Sequence, residues 1–346
     1  GFLPSYWIKL RGLDTVIIFS NQSFAEQVTL GDFNGTLTTK VSSGFSVRTE
    51  DNDCKLVSGS QNTLTDAQKA LIGGTPHSGN GGCNIKIYDS NSDVREKLKK
   101  IIEPDNIFTN IEETVKNSDL VVLCIPVGSM KETAKKISKI LKVGCILTDT
   151  GSTKSSVIDD IKSHLSEKTF FIPSHPLAGT ENSGPEAGFA NLFKGKYWVI
   201  VPYCPIPIGI MEDFRKFLSG TGAIVETMKP DYHDKILAIT SHLPHLIAYT
   251  IVGTATDLED QTKHDVVRFS ATGFRDFTRI ASSDPIMWRD VFLNNKEAVL
   301  EMLQRFSEDL TYLQRAIRWS EADKLEDLFT KTREIRRSII KEGQDK

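Results

Sequence analysis

The sequence predicts a doubly wound α/β domain followed by an all-helical one, with an atypical polar segment ahead of both. Three observations carry this expectation. From Asn84 onward, short and continuously apolar runs alternate with amphipathic stretches. Strands that are apolar throughout, separated by helices of about 10–15 residues, belong to parallel sheets covered on both faces. From Lys229 onward no strand pattern remains, and long stretches carry apolar residues at helical spacing. Residues 1–83, by contrast, are rich in Ser, Thr, Gly, Asn and Asp and hold one good apolar run, "TVIIFS" at Thr15–Ser20.

The elements follow in order. "NIKIYDS" is a strand closed by Asp89, and "SDVREKLKKII" is a helix opened by Ser92 and Asp93. "SDLVVLCIPV" is a buried strand that leaves the sheet at Pro126, followed by "MKETAKKISKIL" as a helix. "GCILTDTGS" is a strand, "TKSSVIDDIKSHL" a helix and "TFFIPSHP" a strand. "KYWVIVP" and "AIVETM" extend the sheet around the helix "IGIMEDFRKFLSG". Three long helical stretches then run from Asp231 to Asp257, Asp284 to Ile317 and Ser320 to Gly343. Their apolar faces are too wide for one small bundle to cover, which predicts a homodimer. The expected organisation is an atypical segment over 1–68, foreign to the fold or poorly ordered, a dinucleotide-binding domain over 69–229 and a helical substrate and dimerisation domain over 230–346.

Composition excludes several classes of function. With 39% apolar and 25% charged residues the chain has ordinary globular make-up, and a net charge of −3 without a basic patch argues against a nucleic-acid partner. The five cysteines form no CxxC pair and no His/Cys cluster, so no metal site is expected. No apolar run approaches the ~18 residues that span a bilayer. A soluble cytoplasmic protein with a small-molecule substrate is expected.

In open parallel sheets ligands bind beyond the carboxyl ends of the strands. Asp89 stands at one such end, where an acid takes the ribose hydroxyls of NAD and repels the additional phosphate of NADP. Cys124 to Val127, with Pro126, mark a second end where a cofactor ring can rest. "TDTGSTKSS" supplies Asp149, Ser152 and Lys154 between a strand and a helix N-terminus. At the fourth end His175 stands between Pro173 and Pro176, and its near-neutral pKa suits accepting a proton from an alcohol. His242 and His245 lie three apart on one helix, and "GFRDFTRIASSDPIMW" gathers Arg275, Asp276, Arg279, Asp284 and Trp288. Arginine's planar fork suits a carboxylate.

Taken together, "DTGSTK", "SHPLAGTENSGPEAGFANLF", "SHLPHLIAY" and "GFRDFTRIASSDPIMWRD" resemble the prephenate and arogenate dehydrogenases of tyrosine biosynthesis. The resemblance covers about Asn84 to the C-terminus. It implies a Rossmann-like domain, an NAD(P) cofactor that the acid at Asp89 narrows to NAD, a dimer built on the helical domain, and oxidative decarboxylation of prephenate to 4-hydroxyphenylpyruvate. Under it His175 deprotonates the ring hydroxyl with help from Ser152, and Arg279 holds the carboxylate that leaves. His245 and Trp288 line the side-chain end of the pocket, Thr180 and Glu181 belong to the polar network beside His175, and His242 is structural. Asp89, Cys124, Pro126 and Asp149 are the candidates for cofactor contacts.

The chain departs from the family's pattern at its start, where no strand, GxGxxG loop and helix follow one another. "KALIGG" at Lys69–Gly74 leaves only Gly73 to Cys83 before the next strand, too short for a phosphate loop and a helix, and the stretch after "TVIIFS" has no glycine until Gly31. A divergent domain end, a foreign extension on a truncated member, or an upstream coding error would each account for this, the last two better than the first. Arogenate dehydrogenase, giving tyrosine, and a non-catalytic remnant without a phosphate loop are the competing readings.

Overall fold

The computed structural model describes residues 14–19, 28–29, 36–37, 47–50, 53–56, 84–179, 184–185, 188–189, 191–256, 268–269 and 272–341, the backbone alone up to residue 84 and at 256 and 341. The strands are β1 (Asp14–Phe19), β2 (Val28–Thr29), β3 (Thr36–Leu37), β4 (Val47–Glu50), β5 (Asp53–Leu56), β6 (Asn84–Asp89), β7 (Ile107–Phe108), β8 (Leu120–Cys124), β9 (Ile146–Asp149), β10 (Phe170–Phe171), β11 (Ser174–Pro176), β12 (Tyr197–Ile200) and β13 (Ile224–Thr227). A six-stranded sheet runs in the order β10-β9-β8-β1-β6-β7, and every pairing in it is parallel. That is the doubly wound order with its topological switch beside the central strand.

The central strand is β1, from the segment expected to stand outside the domain. Its register sets Phe19 opposite both Asp89 and Cys124, while Leu123 faces Asp149 across the next pairing. Three of the anticipated strand ends therefore lie on one edge. Lys69–Gly74, the other candidate for a first strand, and residues 20–27, where a phosphate loop would follow β1, lie outside the described residues.

Helices α1 (Ser92–Leu98), α2 (Ile111–Val115), α3 (Met130–Ile137) and α4 (Ser155–Lys162) cross between the strands. Strand β8 shows why they cover both faces. Leu120, Val122 and Cys124 pack with Ile85, Leu98 and Ile172, whereas Val121 and Leu123 pack with Val115, Met130 and Ile161. Alternate residues of one strand thus feed two separate cores, as a strand without a polar face requires.

One expectation is corrected. "TFFIPSHP" is not a single strand, and "KYWVIVP" and "AIVETM" do not extend the parallel sheet. Pro173 has no N–H to offer and ends the run after β10. The chain re-enters as β11, antiparallel to β12, in a second sheet of order β11-β12-β13. Helix α5 (Ile208–Ser219) joins β12 to β13.

Helix α6 (Pro230–Leu237), a π-helical stretch (Ala238–His242) and α7 (Leu243–Thr256) form one continuous rod, followed by α8 (Thr272–Thr278) and α9 (Pro285–Asn294). By length and composition the rod Pro230–Ala255 is long and apolar enough to cross a membrane, with a mean hydropathy of 1.4, which differs from the expectation that no run is long enough. Its polar groups argue for a protein interior, because His233, Asp234 and His242 on it are buried in hydrogen bonds to other elements. The chain divides into two compact units, 1–296 and 297–346. The second consists of nearly all of α10 (Lys296–Arg318) and of α11 (Ala322–Lys341), which meet at a turn where Ser320 takes a φ of 54°. Leu310, Ile317, Trp319, Phe329 and Ile335 are exposed on this unit.

Candidate active site

The site is built outward from Asp149, the last residue of β9. The chain turns immediately after it, and Gly151 is required there, since a Cβ would lie 2.9 Å from Val127 Cγ1 and 3.0 Å from Asp149 Oδ2. The Asp149 carboxylate is wholly buried. One oxygen accepts from Gly151 N at 2.9 Å and pairs with the Lys154 ammonium, and the other accepts from Ser174 N at 3.3 Å. Lys154 Nζ also donates to Ser174 O at 2.7 Å. The pair therefore grips the first residue of β11 by both its amide and its carbonyl. Ser174 Oγ donates to Asp149 O at 2.9 Å and accepts from Trp198 Nε1 at 3.0 Å. Burial pushes the Asp149 carboxyl up and the Lys154 amine down, and their mutual attraction opposes both shifts.

His175 follows Ser174 on this clamped strand and is buried. Its Nδ1 lies 2.9 Å from His233 Nε2, with the two rings edge to face. His233 Nδ1 lies 2.9 Å from Asp234 Oδ1. Pro230 at the first position of α6 places both residues in its opening turns. Asp234 then reaches across to α4, accepting from Lys154 N and Ser155 N at 2.8 Å each. Those are first-turn amides with no partner inside their own helix, and Lys154 caps nothing with its own side chain. One carboxylate thus caps α4 and anchors His233.

The electrostatics follow from this placement. Burial raises the Asp234 pKa, yet bonds from His233, Ser155 and Lys154 outweigh it and hold the carboxyl below its usual range. Burial lowers the pKa of His233. His175 is held well below 6.5, by burial first and then by its neighbours His233, Lys154 and His242. His175 is therefore neutral at pH 7, the state a general base needs.

A second group adjoins the first. Asn295 Nδ2 donates to Asp234 O at 2.8 Å and to His242 Nδ1 at 3.0 Å, and burial lowers the His242 pKa to about 4. His245 stacks on Trp288 with ring centroids 3.6 Å apart. Burial, together with the Arg279 charge, lowers its pKa. Arg279 opens a short 3-10 turn and is exposed, and Ser152 is half-buried between Gly151 and α4. Thr180 and Glu181 lie outside the described residues.

Two of the anticipated cofactor contacts have side chains engaged within the fold. Cys124 has its side chain in the core beside Ile85 and Leu98, and the Asp149 carboxylate is committed to Lys154 and two backbone amides. Neither side chain is offered to a ligand. Sequence reasoning missed His233, Asp234 and Asn295. The available signal was "HD" just after Pro230, but an acid in a first turn reads as an ordinary helix-end residue.

The pattern "Prephenate dehydrogenase, nucleotide-binding domain" matches residues 71–227, and "Prephenate dehydrogenase, dimerization domain" matches 229–331. The chain belongs to the prephenate dehydrogenase family. Among relatives, a cyclohexadienyl dehydrogenase of Zymomonas mobilis is 37% identical over 255 residues, covering 74% of this chain and 87% of its own. A prephenate dehydrogenase of Lactococcus lactis is 32% identical over 251 residues, covering 71% and 68%. The crystal structure of prephenate dehydrogenase from A. aeolicus in complex with hydroxyphenyl propionate and NAD+ superposes with a TM-score of 0.66 at 34% identity, covering 73% of this chain and 89% of that one.

The described residues of this family member fit a dinucleotide. Asp89 is buried at the end of β6, next to the central strand. Its Oδ1 accepts from Asn91 N at 2.7 Å, which fixes the carboxylate at the strand end. Pro126 ends β8 and leads into a short 3-10 turn at Val127–Ser129.

Proposed function

We infer that the chain catalyses NAD-dependent oxidative decarboxylation of prephenate to 4-hydroxyphenylpyruvate. The observation that carries this reading is a neutral, buried His175 locked beside the carboxyl edge of a dinucleotide-binding sheet, in a chain whose two domains both match the family. NAD, when bound, supplies the acceptor for the hydride that leaves C4 of the ring. His175 takes the proton of the C4 hydroxyl, with Ser152 as its assistant. Arg279 holds the ring carboxylate. As the C1–carboxylate bond breaks, its electron pair flows into the ring, carbon dioxide departs, and the proton held by His175 returns to the phenol oxygen. Aromatisation makes the step irreversible. His245 and Trp288 form the wall at the substrate's side-chain end. Residues 229–331 carry the match to a dimerisation domain, and the exposed apolar residues of α10 and α11 support a homodimer.

The test is absorbance at the reduced-nicotinamide band with full-length protein, NAD and either prephenate or arogenate. NADH formation faster with prephenate supports the reading. Faster turnover of arogenate names the other substrate, and no NADH from a folded protein with either would overturn the reading.

A pH effect on cofactor affinity follows from Asp89. Burial raises its pKa to about 6, against the Asn91 amide and the Arg95 charge, which lower it. Ribose hydroxyls donate to the ionised carboxylate, so binding favours the deprotonated form. The NAD dissociation constant therefore falls as pH rises from about 5 to 7, by up to about tenfold per unit below 6, and is flat above. Calorimetric titration near pH 5.5 should show proton release on binding, and Asp89→Asn should abolish the step.

A further inference from the structure

The chain His175–His233–Asp234 does more than fill space, because its hydrogen bonds permit only one arrangement of protons. Asp234 Oδ1 receives the Lys154 amide at 2.8 Å and lies 2.9 Å from His233 Nδ1, and Oδ2 receives the Ser155 amide at 2.8 Å. Backbone amides can only donate, so the carboxylate is an acceptor on both oxygens. His233 Nδ1 must then carry a hydrogen. His233 is completely buried and its pKa is lowered by that burial, so the ring is neutral and its Nε2 bears the lone pair. At 2.9 Å from that lone pair, His175 Nδ1 must donate. A neutral imidazole has one N–H, so the lone pair of His175 is on Nε2.

We infer that His233 is a positioning residue which, anchored by Asp234, fixes His175 in the tautomer with its proton on Nδ1 and its basic lone pair on Nε2. The opposite tautomer would present an N–H to the substrate hydroxyl and accept nothing. This inference rests on the reading of His175 as the base, and it assigns the orientation of that base to a residue outside the substrate-binding set. When the hydroxyl O–H bond breaks and Nε2–H forms, the Nδ1–H of His175 stays in place and its bond to His233 becomes charge-assisted. His233 keeps its own proton on Nδ1 toward Asp234. No proton leaves the chain, and the positive charge on His175 is stabilised through a polarised neutral ring by a carboxylate. Lys154 and His242 are the other titratable groups that face His175, and the Lys154 ammonium opposes its protonation. The device is thus needed to offset a site that otherwise disfavours the imidazolium.

The test reads the tautomer directly. Full-length protein labelled with 15N in its imidazoles gives long-range proton–nitrogen spectra, in which His175 is assigned by its loss in His175→Asn. At about pH 7.5, without substrate or cofactor, the expected pattern is a neutral ring protonated on Nδ1. His233→Phe removes the acceptor, so the His175 signals should shift toward a tautomer mixture. kcat should fall by at least about tenfold, toward the roughly 10⁴-fold that a wrong tautomer can cost, with KM for prephenate nearly unchanged. His233→Gln, which still offers an acceptor oxygen, should restore both the Nδ1-protonated pattern and part of kcat. A wild-type ring protonated on Nε2, or a folded His233→Phe variant with unchanged spectrum and kcat, would overturn the inference. Protein that shows the expected tautomer yet makes no NADH would refute the proposed activity and leave the tautomer assignment standing.

Discussion

Replacing His175 by asparagine lowers kcat for NADH formation from prephenate by about 10²- to 10⁴-fold, the usual contribution of a positioned general base. Asparagine still hydrogen-bonds but cannot take a proton at neutral pH, so the substrate's KM and the affinity for NAD change far less than kcat. The pH profile separates loss of a base from loss of fit. In the wild type the pKa of His175 is depressed, so the ring is already neutral at its ordinary value of 6.5 and kcat/KM is level above that pH. As pH falls further the ring gains a proton and kcat/KM declines. The asparagine variant loses the part of this decline that belongs to His175. Steady-state rates from about pH 5 to 8 with both proteins provide the check. Near wild-type kcat in the variant would place the base elsewhere.

Much of this site can be read from residue order, and the limits of that reading have physical causes. His175, Asp149 and Lys154 stand out because strand ends in a parallel sheet are where ligands meet the chain. What linear order hides is which groups satisfy one another across long separations. Asp149 reads as a cofactor contact at a strand end, but folding gives it to Lys154 and to the amides of Gly151 and Ser174. Asp234 reads as a helix-end acid, yet it caps a helix some 80 positions away in the chain. The π-helical stretch Ala238–His242 shifts the helical phase within the rod, which an unbroken 3.6-residue pattern does not anticipate. The central strand is the plainest case. "TVIIFS" is strand-like by composition, but nothing local indicates that it pairs with residues beyond position 84 on both sides. That pairing is decided by where the sheet has an empty place between β6 and β8.

The buried pair beneath β11 carries the largest stability effect. Lys154→Met should destabilise the protein by about 3–5 kcal/mol, because it leaves the Asp149 carboxyl without its counter-charge in a fully buried site. At roughly 2–4 °C per kcal/mol the midpoint of thermal unfolding falls by about 10 °C, which calorimetry can measure. The loss is not simply that of one contact. Lys154 Nζ also serves Ser174 O, so a buried carbonyl loses its donor and the strand that holds His175 is gripped from one side only. Activity should therefore fall along with stability, unlike in His175→Asn. The double variant Asp149→Asn, Lys154→Met distinguishes the cause. It removes both charges while asparagine keeps an acceptor oxygen for one of the two backbone amides. If the unpaired charge dominates, the double variant is more stable than Lys154→Met alone. If lost packing of the lysine stem dominates, the two are equally unstable, since both lack that stem. The first outcome is expected, because methionine replaces most of the stem's volume and nothing replaces the charge.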